Sequence, residues 1–232
     1  MSNSSVSSSE AAAIEYVDWP VLGNEEPLPA DPMVALDKLT QLNGTNASAG
    51  AHACGAVSLV GAMLAVHGYA GLRRLAHSLA NELSDETRTV LERLADEIGE
   101  HGSAATYGAL ADYALVLYRR YRGLDGGIEY TKLQHLMQVA GFAPPSAIKD
   151  EDITRTIVKT GQCWPAKISM TGGEGDHWIL VGRDARGHFI FDPYPRNDGS
   201  QIIRPNEIDW KRYVQAIGQH EDGQNTIGFL PK

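Results

Sequence analysis

The chain has 232 residues, and 20 Lys plus Arg set against 29 Asp plus Glu leave a formal charge of −9. That balance disfavours a nucleic-acid binder, which needs a basic face to replace phosphate counterions, and equally disfavours docking on an anionic membrane surface. A hydrophobic share of 43% with 21% charged residues suits a globular protein able to bury a sizeable core, and no apolar run approaches the roughly 18 residues of a membrane span.

Residues 1–34 read as a flexible tail: a Ser/Asn/Ala tract, then Glu25, Glu26, Pro27, Pro29 and Pro32, with Trp19, Val21 and Leu22 able to dock as a short extended arm. The N-terminus has neither a basic start nor a continuous apolar core, so it does not read as a secretory signal. The cytoplasm is the default expectation, with export by a non-classical route as the alternative. Two cysteines, Cys54 and Cys163, cannot build a disulfide framework. A single domain is expected over 35–232.

That domain divides into a helical front and a strand-rich back. Residues 54–67 are apolar nearly all round, the pattern of a buried helix, and Gly68 follows where a left-handed cap is favoured. Ser84 is placed to cap a helix whose first turn carries Asp85 and Glu86 and whose apolar residues Val90, Leu91, Leu94, Ala95 and Ile98 recur at helical spacing. The pattern returns over 104–121 and again over 130–140, where Gly141 ends it. A last short helix after Asp150 stops at Gly161. Strands are expected at 164–169, 178–182, 188–191, 202–204 and 226–230, with Asp184-Ala185-Arg186-Gly187 as the turn of a hairpin. Helices first and an antiparallel sheet second is an α+β arrangement.

Three residues stand out for chemistry. Cys54 opens the buried helix, where the positive end of the dipole and free N–H groups stabilise a thiolate. Gly55 leaves room for a substrate carbonyl, and the Cys54 N–H can donate to a developing oxyanion. A two-residue turn centred on Ala185-Arg186 puts His177 opposite position 194 and makes Asp192 its diagonal neighbour on the same face. A carboxylate there can hold one imidazole nitrogen and leave the other aimed at a thiol. A one-residue change of loop length would send one partner to the other face.

Ala53-Cys54-Gly55-Ala56 opening an apolar helix resembles the nucleophile helix of papain-fold cysteine peptidases, most of all the branch of double-glycine leader peptidases that process bacteriocin precursors. The back half is similar too: Trp164-Pro165-Ala166-Lys167-Ile168, then Gly175-Asp176-His177-Trp178, then Phe191-Asp192-Pro193 follow the family's strand, histidine strand and Asp-Pro strand in order. The resemblance covers about 53–69 and 130–195. It implies a papain-like fold, with a buried nucleophile helix in the N-terminal part packed on a C-terminal antiparallel sheet. It also implies Cys54 as nucleophile, His177 as base and acid, and Asp192 as the orienting carboxylate.

Two features depart from the family. A Gln usually stands six positions before the nucleophile as an oxyanion donor, and Ser48 stands there in this chain. Gln41, Asn43 or Asn46 can reach in from the preceding loop, Asn46 being preferred. The helical stretch over about 70–122 exceeds the family core and reads as a substrate-recognition insertion or a lid.

Plainer roles compete at several positions. Cys163 is a packing residue beside a strand start. Asp176 competes with Asp192, but alternation turns it to the face opposite His177. Gly175, Asp176 and Trp178 flank the histidine as candidate substrate-binding residues. His52 reads as a solvated loop residue, and the remaining histidines lack metal-ligand spacing, so no metal site is expected.

The expected activity is hydrolysis of an amide bond through an acyl-enzyme thioester, with no cofactor. The substrate is a peptide or protein, or the peptide cross-links of peptidoglycan. An effector toxin is one setting for it, with an inhibitor or immunity protein as partner. Transamidation and glutamine deamidation would use the same triad, and a catalytically inactive papain-fold module that binds a peptide or protein is the rival from another class.

Overall fold

A helix apolar on every side has to be surrounded, and α2 (Cys54–His67) is: every residue from Cys54 to Leu64 is buried. The computed structural model describes residues 26–39, 52–100, 105–123, 126–143, 146–149, 163–170, 175–193, 201–204 and 225–228. Around α2 lie α1 (Pro32–Leu36), α3 (Tyr69–Leu79), α4 (Asp85–Glu100), α5 (Tyr107–Tyr121) and α6 (Tyr130–Val139). The strands are β1 (Ser146–Lys149), β2 (Cys163–Met170), β3 (Gly175–Asp184), β4 (Gly187–Phe191), β5 (Ile202–Ile203) and β6 (Asn225–Gly228). They form one antiparallel sheet in the order β1-β6-β2-β3-β4-β5. Helices lead and an antiparallel sheet follows, the expected α+β arrangement. Among the described residues no helix is long and apolar enough to cross a membrane.

Local chemistry explains where these helices start and stop. Asp31 accepts from the Met33 N–H at 2.9 Å and caps α1, with Pro32 in the first turn. Ser84 accepts from the Thr87 N–H at 3.3 Å before α4, as its sequence position suggested. Thr106, not singled out from the sequence, does the same for α5 through the Ala109 N–H at 3.3 Å. Gly68 takes φ +61° and ψ −164°, so α3 begins one residue after α2 ends. The helical stretch expected over about 70–122 thus opens with α3, which no Ser, Thr or Asp announces as a separate helix. Its buried face (Gly71, Leu72, Leu75, Ala76, Leu79) is nonetheless plainly helical.

The hairpin has the expected register, from Asp184↔Gly187 at the turn to Leu180↔Phe191. Gly187 carries the positive φ of +116° that the turn needs. Arg204 clamps this turn, donating to both Asp184 carboxylate oxygens at 2.7 Å. That guanidinium holds the Asp184 carboxyl below the usual carboxylate range. Two elements had no counterpart in the sequence reading, the short α1 and the edge strand β1. The helix expected after Asp150 lies outside the described residues.

Residues 26–34 were expected in the tail, yet they pack. Leu28 is buried, its N–H donates to the Ala105 carbonyl at 2.7 Å, and Pro27 bridges to Thr106. Enough apolar surface sits in Leu28, Ala35, Leu36 and Leu39 to anchor the segment despite its prolines. The docking expected for Trp19, Val21 and Leu22 falls outside the described residues.

Candidate active site

The nucleophile candidate stands where α2 meets the sheet. Ala53 is the N-cap of α2 and no side chain caps it, so the first-turn N–H groups, which have no intrahelical acceptor, lie beside Cys54. The helix touches both β2 and β3, and one buried hydrogen bond fixes that contact next to the site. Ser58, one turn after Cys54, donates its hydroxyl to the Trp178 carbonyl at 3.1 Å. Ser58 was not singled out from the sequence. Its i+4 spacing from Cys54 was the available signal.

His177 and Asp192 come together as the register demands. The His177 Nε2 and the Asp192 Oδ1 are 2.8 Å apart, and both residues are buried, at 8% and 2% exposure. Burial disfavours an imidazolium, but hydrogen bonds to Asp192 and to the Cys54 side chain outweigh it and push the His177 pKa up to about 10. Asp192 lies one residue beyond β4, and its N–H donates to the Gln201 carbonyl at 3.0 Å.

Cys163 differs in every respect. It is fully enclosed, its sulfur is 3.8 Å from the Ala62 carbonyl, and burial pushes its thiol well up. Among the described residues no three His, Cys, Asp or Glu side chains are grouped so as to hold a metal ion.

No protein-family model matches the sequence, the double-glycine branch included, and no curated protein matches it. Among solved structures the chain is similar to the Pseudomonas avirulence protein AvrPphB. Identity is 14%, the superposition covers 69% of this chain and 89% of that one, and the TM-score is 0.35. So loose a superposition leaves the fold description resting on element order and strand register.

At Gly55, beside Cys54, a Cβ would stand 3.1 Å from Leu133 and 3.5 Å from Trp178. The glycine admits α6 and β3 close to α2. Trp178, a candidate substrate-binding residue, is buried and its ring stacks on Tyr130 with centroids 6.5 Å apart. Strand alternation turns it to the face opposite His177. Gly175 and Asp176 form the first residues of β3, paired with Met170 and Ser169. Asn46, Gln41, Asn43 and Ser48, the oxyanion candidates, lie outside the described residues.

On the helical side, Tyr118 donates its hydroxyl to the Gly126 carbonyl at 2.5 Å. Gly126 has φ +89°, and its bare Cα lies against the His52 imidazole. Burial pushes the Tyr118 phenol up, Arg122 offsets part of the rise, and the charge of Cys54 adds to it.

Proposed function

We propose that this chain is a cysteine-dependent amide hydrolase of papain-like fold. The observation that carries the reading is a single buried imidazole shared between the Asp192 carboxylate, 2.8 Å away, and the Cys54 side chain. An imidazolium favoured through neutral pH is the partner a thiolate needs. In this mechanism the Cys54 thiolate attacks the carbonyl carbon and the carbonyl π bond opens to an oxyanion. The Cys54 N–H at the start of α2 donates to that oxygen. His177 passes its proton to the departing amine as the C–N bond breaks, leaving a thioester. Water then attacks as His177 takes its proton, and the C–S bond breaks to release the acid and regenerate the thiolate–imidazolium pair. Asp192 keeps the imidazole in one orientation throughout.

The test is iodoacetamide alkylation followed by mass spectrometry at about pH 6, well below the ordinary thiol range near pH 8.5. Cys54 should react and Cys163 should not, and His177→Ala should slow Cys54 at least about ten-fold. Equal rates with and without His177, or reaction of Cys54 only above about pH 8.5, would overturn the reading. Release of amine from a peptide library, abolished by Cys54→Ala, establishes the hydrolysis itself.

A further inference from the structure

Asp192 sits just past the end of β4, where the β3–β4 ladder has closed with Leu180↔Phe191. On the other side β4 pairs with a strand of two residues, Ile202–Ile203. So short a strand at a sheet edge holds little by itself. The structure ties it down from the far end of the sequence. The Asp37 carbonyl accepts the Gln201 N–H at 3.0 Å, and the Asp37 Oδ1 accepts the Ile202 N–H at 2.9 Å. The Gln201 carbonyl in turn accepts the Asp192 N–H at 3.0 Å, and Gln201 is itself only 2% exposed.

Asp37 is well placed to act as an anchor. It is the C-cap of α1, whose Ala35 and Leu36 are buried in the core. The same segment is fastened to the helical layer, where the Tyr107 N–H donates to the Glu26 carbonyl and the Leu28 N–H to the Ala105 carbonyl. Lys38 closes the segment on itself through Glu26. One stretch of chain therefore runs from the start of α5 to the sheet edge beside Asp192.

We propose that Asp37 is a positioning residue: by holding Gln201 and Ile202 it fixes the backbone from which the Asp192 carboxylate reaches His177. The inference rests on the triad reading above. A hydrogen bond to a buried imidazole weakens steeply with misalignment, so a small release of residues 192 and 201 lessens the support Asp192 gives the imidazolium. Among the described residues the titratable groups that face His177 are Asp192, from the end of β4, and Cys54, from α2. Asp37 acts through the first of these.

The experiment follows iodoacetamide alkylation of Cys54 in the full chain from about pH 5 to about pH 11, reading the upper step at which the imidazolium loses its proton. Asp192→Asn should move that step down by about one pH unit. Asp37→Ala should move it in the same direction by about half a unit, a roughly three-fold change in the ionisation constant, and Asp37→Asn, which keeps an oxygen acceptor, should restore it. Asp37→Leu, which has no acceptor either, is read the same way should Asp37→Ala fail to fold. A step unmoved in the Ala or Leu variant while Asp192→Asn shifts it overturns the role of Asp37 alone. So does an equal shift in Asp37→Asn, which would make the effect one of charge. A step unmoved by Asp192→Asn overturns the triad and this inference together.

Discussion

His177 shows how a buried group can be kept charged. Its burial favours the neutral ring, and hydrogen bonds to Asp192 and to the Cys54 side chain reverse that preference, raising its pKa to about 10. A folded-state pKa above the free value near 6.5 contributes stability that is complete below about 6.5 and is lost as the pH rises through about 10. Asp192→Asn removes the carboxylate half of this support. In urea unfolding the variant should be less stable than the parent by about 1–3 kcal/mol at pH 6 to 8, with the gap narrowing above about pH 10. A gap independent of pH would mean that Asp192 stabilises the fold in some other way. The two thiols differ for an equally local reason: Cys54 has an imidazole beside it, and Cys163 has only a carbonyl at 3.8 Å and apolar walls.

The hairpin of β3 and β4 turns this local pairing into geometry. Its two-residue turn and Gly187 were readable in the sequence, and with them the register that brings positions 177 and 192 to one face. The close packing behind the hairpin was not readable. Gly182 pairs with Cys163, and a Cβ at Gly182 would run into the Phe189 ring and approach the Cys163 Cβ at 2.9 Å. Phe189 and Cys163 are fully enclosed, so neither can yield without shifting its strand. Gly182→Ala should therefore cost about 1–3 kcal/mol in chemical unfolding; an unchanged midpoint would show that the sheet relaxes there. Helix α3 makes the complementary point. Its apolar spacing was in plain view, but a glycine junction only one residue long hid its start.

The site exists because three parts of the chain meet: α2 from the helical layer, the hairpin from the sheet, and the 26–39 segment that spans both. The helices over 69–121 belong to this core, since α5 packs on α2 and the Tyr113 hydroxyl donates to the Leu72 carbonyl at 2.8 Å. Ser58 fastens the layers nearest the reactive groups through its 3.1 Å bond to the Trp178 carbonyl. Ser58→Ala should cost about 1 kcal/mol, a fall in Tm of about 2–4 °C for a chain of this size, and should slow Cys54 alkylation at neutral pH. Full retention of both would make the bond incidental.

Periodicity, capping residues and turn chemistry are local properties, so the sequence alone determined the buried helix, its cysteine at the N-terminal end, the α4 cap and the hairpin that pairs His177 with Asp192. Close approach between layers involves residues far apart in the chain. Only the tertiary structure decided that Gly55 lets α6 and Trp178 approach α2, that Ser58 bolts helix to sheet, and that Asp37 holds the strand beside Asp192. A hydrogen bond across 165 residues, from the Ile202 N–H to Asp37, leaves no periodic trace in the sequence.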